Sequence, residues 1–253
     1  MGEGAFESPL PCRKRGRVRE HRGVTATVSP LEQLSEALRT ELGAKAVTDL
    51  ARLSGGASRE TWSFKADDRP LILQRQRKGD IRDMGVEARV VQAAFNAGVP
   101  VPELIANGSG DIGLAFMILS HIEGETIARK ILRDEQFADA RTKLVAQSAH
   151  ALAALHSIDA STITGLPSID QVQQYRETLD TLNQALGQAH PTFELAFRWL
   201  ERNRPTSTRA ALVHGDFRLG NLMVGPDGLR AVLDWELAHI GDPIEDLGWL
   251  CVR

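Results

Sequence analysis

Leu31, Leu34, Leu38 and Leu42 recur three and four positions apart, a spacing that lines one face of a helix. Ser29 stands before them as an N-cap, Pro30 suits a first helical turn, and Gly43 stops the run. The period then changes. Ala46–Leu53, Thr61–Ala66 and Leu71–Gln76 are short segments of strand character. Ser54-Gly55-Gly56-Ala57-Ser58 separates the first two, and Asp67-Asp68-Arg69-Pro70 turns the second into the third. Residues 84–97 return to a helical pattern that ends at Gly98, after which Pro100 and Pro102 force an extended path. Leu104–Asn107 and Leu114–Leu119 bracket a turn at Gly108-Ser109-Gly110-Asp111. Past Ser120–Glu125 the pattern is helical over 137–157, 169–187 and 191–203, with Pro205 closing the last. Ala211–Val213 is a short strand, and Leu222–Val224 and Leu229–Leu233 flank the hairpin signal Gly225-Pro226-Asp227-Gly228.

These elements predict an α+β chain with a basic tail over 1–29, a small antiparallel-sheet lobe over 30–119 and a mostly helical lobe over 120–253. Its 253 residues are enough for two lobes with real cores. The tail is set apart by Arg13, Lys14, Arg15, Arg17, Arg19 and Arg22, with no apolar stretch to make a signal peptide, and reads as disordered. A net charge of −3 argues against a nucleic-acid partner. No apolar run reaches the length of a membrane span. The two cysteines, Cys12 and Cys251, lie near opposite ends and build neither a disulfide framework nor a CxxC metal site, which fits the cytoplasm.

The chemistry concentrates late in the chain. His214-Gly215-Asp216-Phe217-Arg218-Leu219-Gly220-Asn221 is followed, thirteen residues after Asn221, by Asp234-Trp235-Glu236. Phosphoryl transfer needs one carboxylate to take the proton of an attacking hydroxyl. It also needs an amide oxygen and a second carboxylate to hold Mg²⁺. Asp216 fits the first role, Asn221 and Asp234 the other two, and the predicted hairpin between them folds Asp234 back beside Asn221. Singly, each reads as a cap, a turn or a strand end; together they form a pattern with one chemical purpose. Arg218 is placed to touch the transferred phosphoryl group, while His214 reads as a residue that shapes the loop. Ser54, Gly55, Gly56 and Ser58 offer backbone N–H groups for phosphates. Arg75, on the third strand, with Glu87 on the following helix, reads as a phosphate-gripping ion pair, and Gln74 is the neighbouring choice. Leu119 ends the fifth strand where adenine would meet backbone. Asp242 reads as a helix cap, and Asp246 as a clamp on the catalytic loop.

These motifs resemble the signature of the aminoglycoside phosphotransferase-like kinases, a superfamily with antibiotic, choline and homoserine kinases that shares the protein-kinase fold. Leu73-Gln74-Arg75, Gly98-Val99-Pro100-Val101-Pro102, Leu155-His156 and Gly241-Asp242-Pro243 are similar too, most of all to the branch related to the kinase domain fused to acyl-CoA dehydrogenases. The resemblance implies a two-lobed kinase-like fold, ATP and Mg²⁺ as cofactors, and a small-molecule hydroxyl as acceptor. It implies Asp216 as catalytic base, Asn221 and Asp234 as Mg²⁺ ligands, and Arg75–Glu87 as the ion pair. It also implies that helices beyond Trp249–Arg253 supply much of the acceptor pocket, so that the chain reads as truncated. The alternative is then a nucleotide-binding fragment without turnover.

Overall fold

The computed structural model describes residues 29–53, 59–80, 82–204 and 209–252. Helix α1 (Pro30–Leu42) opens it with the predicted cap: Ser29 Oγ accepts from Glu32 N, and Glu32 reaches back to Ser29 N. Gly43 closes the helix in a left-handed conformation at φ 60°. Five antiparallel strands follow, β1 (Val47–Arg52), β2 (Arg59–Ala66), β3 (Arg69–Gln76), β4 (Leu104–Gly110) and β5 (Gly113–Ser120), in the order β1-β2-β3-β5-β4. Helix α2 (Met84–Asn96) is inserted between β3 and β4. The β2–β3 turn is tighter than predicted: Asp67 and Asp68, both at positive φ, are its only loop residues, so β3 starts at Arg69.

Alternation along the strands divides the sheet into two faces. Phe64, Leu71, Leu73, Phe116 and Ile118 pack with Leu34 and Leu38 of α1 in one core. Met117 of β5 faces the other way, against Met84 and Ala88 of α2. The far end of α2 enters a second core with Leu119 and the buried residues of the helical half, among them Leu152, Leu155, Leu212 and Phe217.

That half contains α3 (Ala128–Arg133), α4 (Ala138–His156), α5 (Gln171–Leu186), α6 (Pro191–Arg202) and α7 (Ile244–Cys251). It also holds a two-stranded pair, β6 (Ala211–Val213) with β9 (His239–Gly241), and the expected hairpin, β7 (Leu222–Gly225) with β8 (Gly228–Val232). The hairpin is clasped to α4 through Gln147, whose Oε1 accepts from Leu229 N at 2.9 Å. It meets the stretch after β5 through Glu125 and Val224, which exchange both backbone hydrogen bonds. Among the described residues no helix is long and apolar enough to cross a membrane.

Candidate active site

The loop between β6 and β7 is set by its buried residues. Asp246, on α7 and fully buried, accepts from His214 N and Gly215 N, one at each carboxylate oxygen, both at 3.0 Å. His156 Nε2, at the end of α4, meets Asp246 Oδ2 at 2.9 Å. One carboxylate therefore joins the loop, α4 and α7. His214 is itself enclosed, its ring 4.6 Å from that of Trp235 and edge-on to Phe217. Its Nδ1 accepts from Asp216 N and its Nε2 donates to Leu233 O, a pattern only one neutral tautomer satisfies. Burial pushes its pKa down and keeps the ring neutral, against the pull of Asp246. His214 is thus a structural spacer between Asp216 and the end of β8, as the sequence suggested. Gly215 has φ 81°, and a Cβ there would lie 2.5 Å from Leu237 O, so only glycine fits.

This frame brings three of the expected side chains into one cluster. Asn221 Nδ2 donates to Asp216 O at 2.9 Å and to Asp216 Oδ2 at 2.7 Å. The amide nitrogen is thereby committed to Asp216, which leaves Oδ1 as the end available to a cation. Arg218 Nε sits 3.0 Å from both carboxylate oxygens of Asp216. Tyr175 on α5 stands on the same side, its pKa raised by burial and by the Glu245 and Asp216 carboxylates.

Leu233 N donates to Asn221 O at 2.8 Å, which ties the end of β8 to the β6–β7 loop and brings Asp234 beside it. Asp234 adopts φ 65°, a left-handed conformation that costs a non-glycine residue about 1–3 kcal/mol. Its side chain opens onto the cleft, yet the surrounding walls hold back enough water to raise the carboxyl pKa, with Glu236 adding to the rise and Arg59 opposing it. A partly desolvated carboxylate beside an amide oxygen is a donor set that suits Mg²⁺, a hard cation that binds one or two carboxylates and takes its remaining ligands from phosphates and water.

The cleft next to Asp234 is a cavity of about 230 Å³ between the sheet and the hairpin. It is lined by Thr61, Ile72, Gln74, Met117 and Leu119 of the sheet, by Met223 and Val232 of the hairpin, and by Glu87 and Asp234. Leu119 is thus on the cleft wall where the sequence put it. The backbone N–H groups just after it are used, Ser120 N by Glu103 O and His121 N by Pro70 O. Ser54, Gly55, Gly56 and Ser58 lie outside the described residues.

One expectation is corrected. Glu87 does not pair with Arg75. Arg75 is in phase with Leu71 and Leu73, so it lies on the α1 face of the sheet. There it grips Glu60 Oε2 through Nε and Nη2 at 3.0 and 2.6 Å, donates to Ile112 O and stacks on Trp62. Gln74 takes the cleft-facing position. The partner of Glu87 is Arg59, the first residue of β2, whose Nη1 donates to Glu87 Oε1 at 2.6 Å while Nη2 reaches Oε2. Glu236 lies 3.6 Å from Arg59 Nη2 and forms a 2.7 Å ion pair with Arg82. Neither Arg59 nor Glu236 carries a local sequence signal for this pairing. The available signal was Glu87 itself, an acid among the apolar residues of α2 that needs a buried counter-ion.

A model of the phosphotransferase enzyme family matches residues 49–253. Mouse acyl-CoA dehydrogenase family member 10 is 30% identical over 238 residues, which cover 88% of this chain and 22% of that protein. Its rat relative, family member 11, is 30% identical over 224 residues, 81% of this chain and 28% of that protein. The chain therefore spans less than a third of the length of these relatives. Hygromycin-B 4-O-kinase of Escherichia coli is 26% identical over 219 residues, 78% of this chain and 60% of that enzyme. Among solved structures, a Ralstonia eutropha protein assigned as an aminoglycoside phosphotransferase superposes with a TM-score of 0.68 at 26% identity, covering 87% of this chain and 69% of that one. The streptomycin–ATP ternary complex of APH(2'')-IIa superposes at 0.61 and 20% identity, covering 85% and 74%, which bears on the fold alone. With the sheet, the inserted α2 and the loop–hairpin unit in place, the chain belongs to the phosphotransferase enzyme family and has its kinase-like, two-lobed α+β fold.

Proposed function

We propose that this chain is an ATP-dependent phosphotransferase that moves the γ-phosphate of ATP, bound with Mg²⁺, to a hydroxyl group of a small molecule. The observation that carries the reading is the three-way arrangement at the loop: Asp216 fixed by Asn221 Nδ2, Asn221 Oδ1 left for a cation, and Asp234 at the cleft beside them. The kinase activity named for the hygromycin-B relative points the same way.

In this reading ATP lies in the cleft, its base against Met117 and Leu119. Asn221 and Asp234 hold the cation, which when bound neutralises charge on the phosphate oxygens. Asp216 receives the acceptor's hydroxyl hydrogen bond. As the acceptor oxygen bonds to the γ-phosphorus, the bond to the β,γ-bridging oxygen breaks and ADP leaves. Asp216 takes the proton released by the hydroxyl. Arg218, already on Asp216, is placed to turn its charge toward the transferred group.

The test is acceptor-dependent ADP formation across a panel of hydroxyl-bearing small molecules, for the native chain and for Asp216→Asn. The expected result is turnover with at least one acceptor that falls about 10²–10⁴-fold in the variant while nucleotide binding is kept. Undiminished turnover in Asp216→Asn would remove the base assignment. Nucleotide binding without turnover on any acceptor would leave a nucleotide-binding module instead.

A further inference from the structure

The cleft-facing residues of β3 are Ile72, Gln74 and Gln76, and none is charged. Gln76 is occupied elsewhere, its Nε2 donating to Asp80 O and Arg82 O. Arg75 is on the opposite face, held by Glu60. Arg82 is anchored by Asp80 and Glu236 at the rim, and Arg218 by Asp216. The strand register sets Arg59 opposite Gln76 and Thr61 opposite Gln74, so Arg59 belongs to the cleft-facing row of β2.

Arg59 is only 5% exposed and lies between two carboxylates, Glu87 and Glu236. Among the described residues its buried Nε has no hydrogen-bond partner, and neither does Glu236 Oε2. Burying an ion pair costs about as much as its attraction returns, and an apolar pair of similar volume is often as stable. A buried, incompletely satisfied guanidinium paired with a carboxylate that lines the cleft therefore points to a ligand. Glu87 lines both the cleft and the adjoining cavity that Arg59 lines, so the pair sits on the wall between them. A guanidinium held by a carboxylate on one edge offers its remaining N–H groups to phosphate oxygens in a fixed plane.

We infer that Arg59 is the cation that holds the phosphates of the bound nucleotide, supplied by β2 with Glu87 as its brace, in place of a charge on β3, where Gln74 stands. This rests on the nucleotide cleft described under the proposed function. In the protein-kinase arrangement the cation comes from the third strand and pairs with a helix carboxylate. Here the helix carboxylate is present and the cation reaches it from the neighbouring strand.

The test is calorimetric titration of Mg²⁺-ATP, with adenosine as a phosphate-free competitor. Variants are Arg59→Gln, Arg59→Gln with Gln74→Lys, Arg75→Gln, and the apolar pair Arg59→Met/Glu87→Leu, each checked for a cooperative melt. Arg59→Gln is expected to weaken Mg²⁺-ATP roughly ten- to hundredfold while adenosine binds as before. Adding Gln74→Lys is expected to restore much of the loss, and Arg75→Gln to leave binding unchanged. The apolar pair removes the charges without leaving one buried alone. Should Arg59→Gln fail to fold, this pair gives the same reading: folded, with ATP affinity lost and adenosine affinity kept. A folded Arg59 variant that binds Mg²⁺-ATP like the native chain overturns the inference and leaves the cleft reading intact. A native chain that binds no Mg²⁺-ATP overturns both.

Discussion

At the scale of single residues, the candidate site is a set of side chains whose second atoms are already engaged. Asp216 is fixed by Asn221 and Arg218, His214 by Asp216 N and Leu233 O, and Asp234 by a backbone at φ 65°. Under the proposed function such residues would meet a substrate pre-oriented, which would lower the reorganisation needed in the transition state. His214 also makes a pH prediction. Its folded pKa lies below the ordinary histidine value near 6.5, because burial disfavours the imidazolium. The unfolded chain therefore binds the extra proton first as pH falls. The stability tied to neutral His214 is complete above pH about 6.5 and is lost below it, with a slope of up to about 1.4 kcal/mol per pH unit. His239 acts in the opposite sense. Burial works against its charge, but Glu245 and Leu237 O outweigh that and raise its pKa. Its share is full below pH about 6.5 and fades as pH rises through its folded pKa. Unfolding by denaturant between pH 5 and 7 should show the acid loss, and His214→Gln, which keeps one acceptor and one donor, should flatten it. An unchanged acid slope in His214→Gln would assign the effect to other groups.

At the scale of elements, the loop between β6 and β7 is a short connection held by its own buried residues, His214 and Phe217, and by what surrounds it. Asp246 at the start of α7 makes three contacts at once, to two loop N–H groups and to His156 of α4. Asp246→Ala should leave those donors buried and unpaired and cost roughly 3–5 kcal/mol by denaturant unfolding. Asp246→Asn, with one oxygen retained, should cost less. A loss below about 1 kcal/mol for Asp246→Ala would show that the loop holds its shape without the clamp.

The elements that were legible in the sequence are those with local signals. The Ser29 cap and Gly43 bound α1, and Gly225-Pro226-Asp227-Gly228 marked the β7–β8 turn, with pairing of Gly225 to Gly228. The strand β9 and the one-and-a-half-turn helix α3 escaped, since three and six residues carry too little periodicity to read. The sequence pattern starts β2 at Thr61 rather than Arg59, because Arg59 and Glu60 look like loop residues until their partners across the sheet are known. The same gap hid the Arg59–Glu87 pair, whose members are separated by 28 residues. Asp216, Asn221 and Asp234 were easier, because one loop and one hairpin join them. The choice between Gln74 and Arg75 was decidable in principle: Leu71 and Leu73 face the α1 core, and Arg75 is in phase with them.

At the scale of the whole molecule, the cleft lies where the antiparallel sheet meets the hairpin of the helical half. It is bounded by Leu119 and Gln74 on one side and by Val232 and Asp234 on the other. A ligand that spans both walls binds the folded chain alone, so nucleotide binding and stability are linked. At a hundred times its dissociation constant, Mg²⁺-ATP should add about 2.7 kcal/mol and raise the melting temperature. In the proposed function this cleft is a nucleotide site completed by Asp234. It is tested most directly by titrating Mg²⁺-ATP calorimetrically into the native chain and into Asp234→Ala, with a thermal melt of each. The expected result is one nucleotide per native chain, a raised melting temperature, and binding that largely disappears in a variant that still melts cooperatively. A native chain that melts cooperatively and takes up no nucleotide would contradict it, as would an Asp234→Ala chain that binds Mg²⁺-ATP as tightly as the native one.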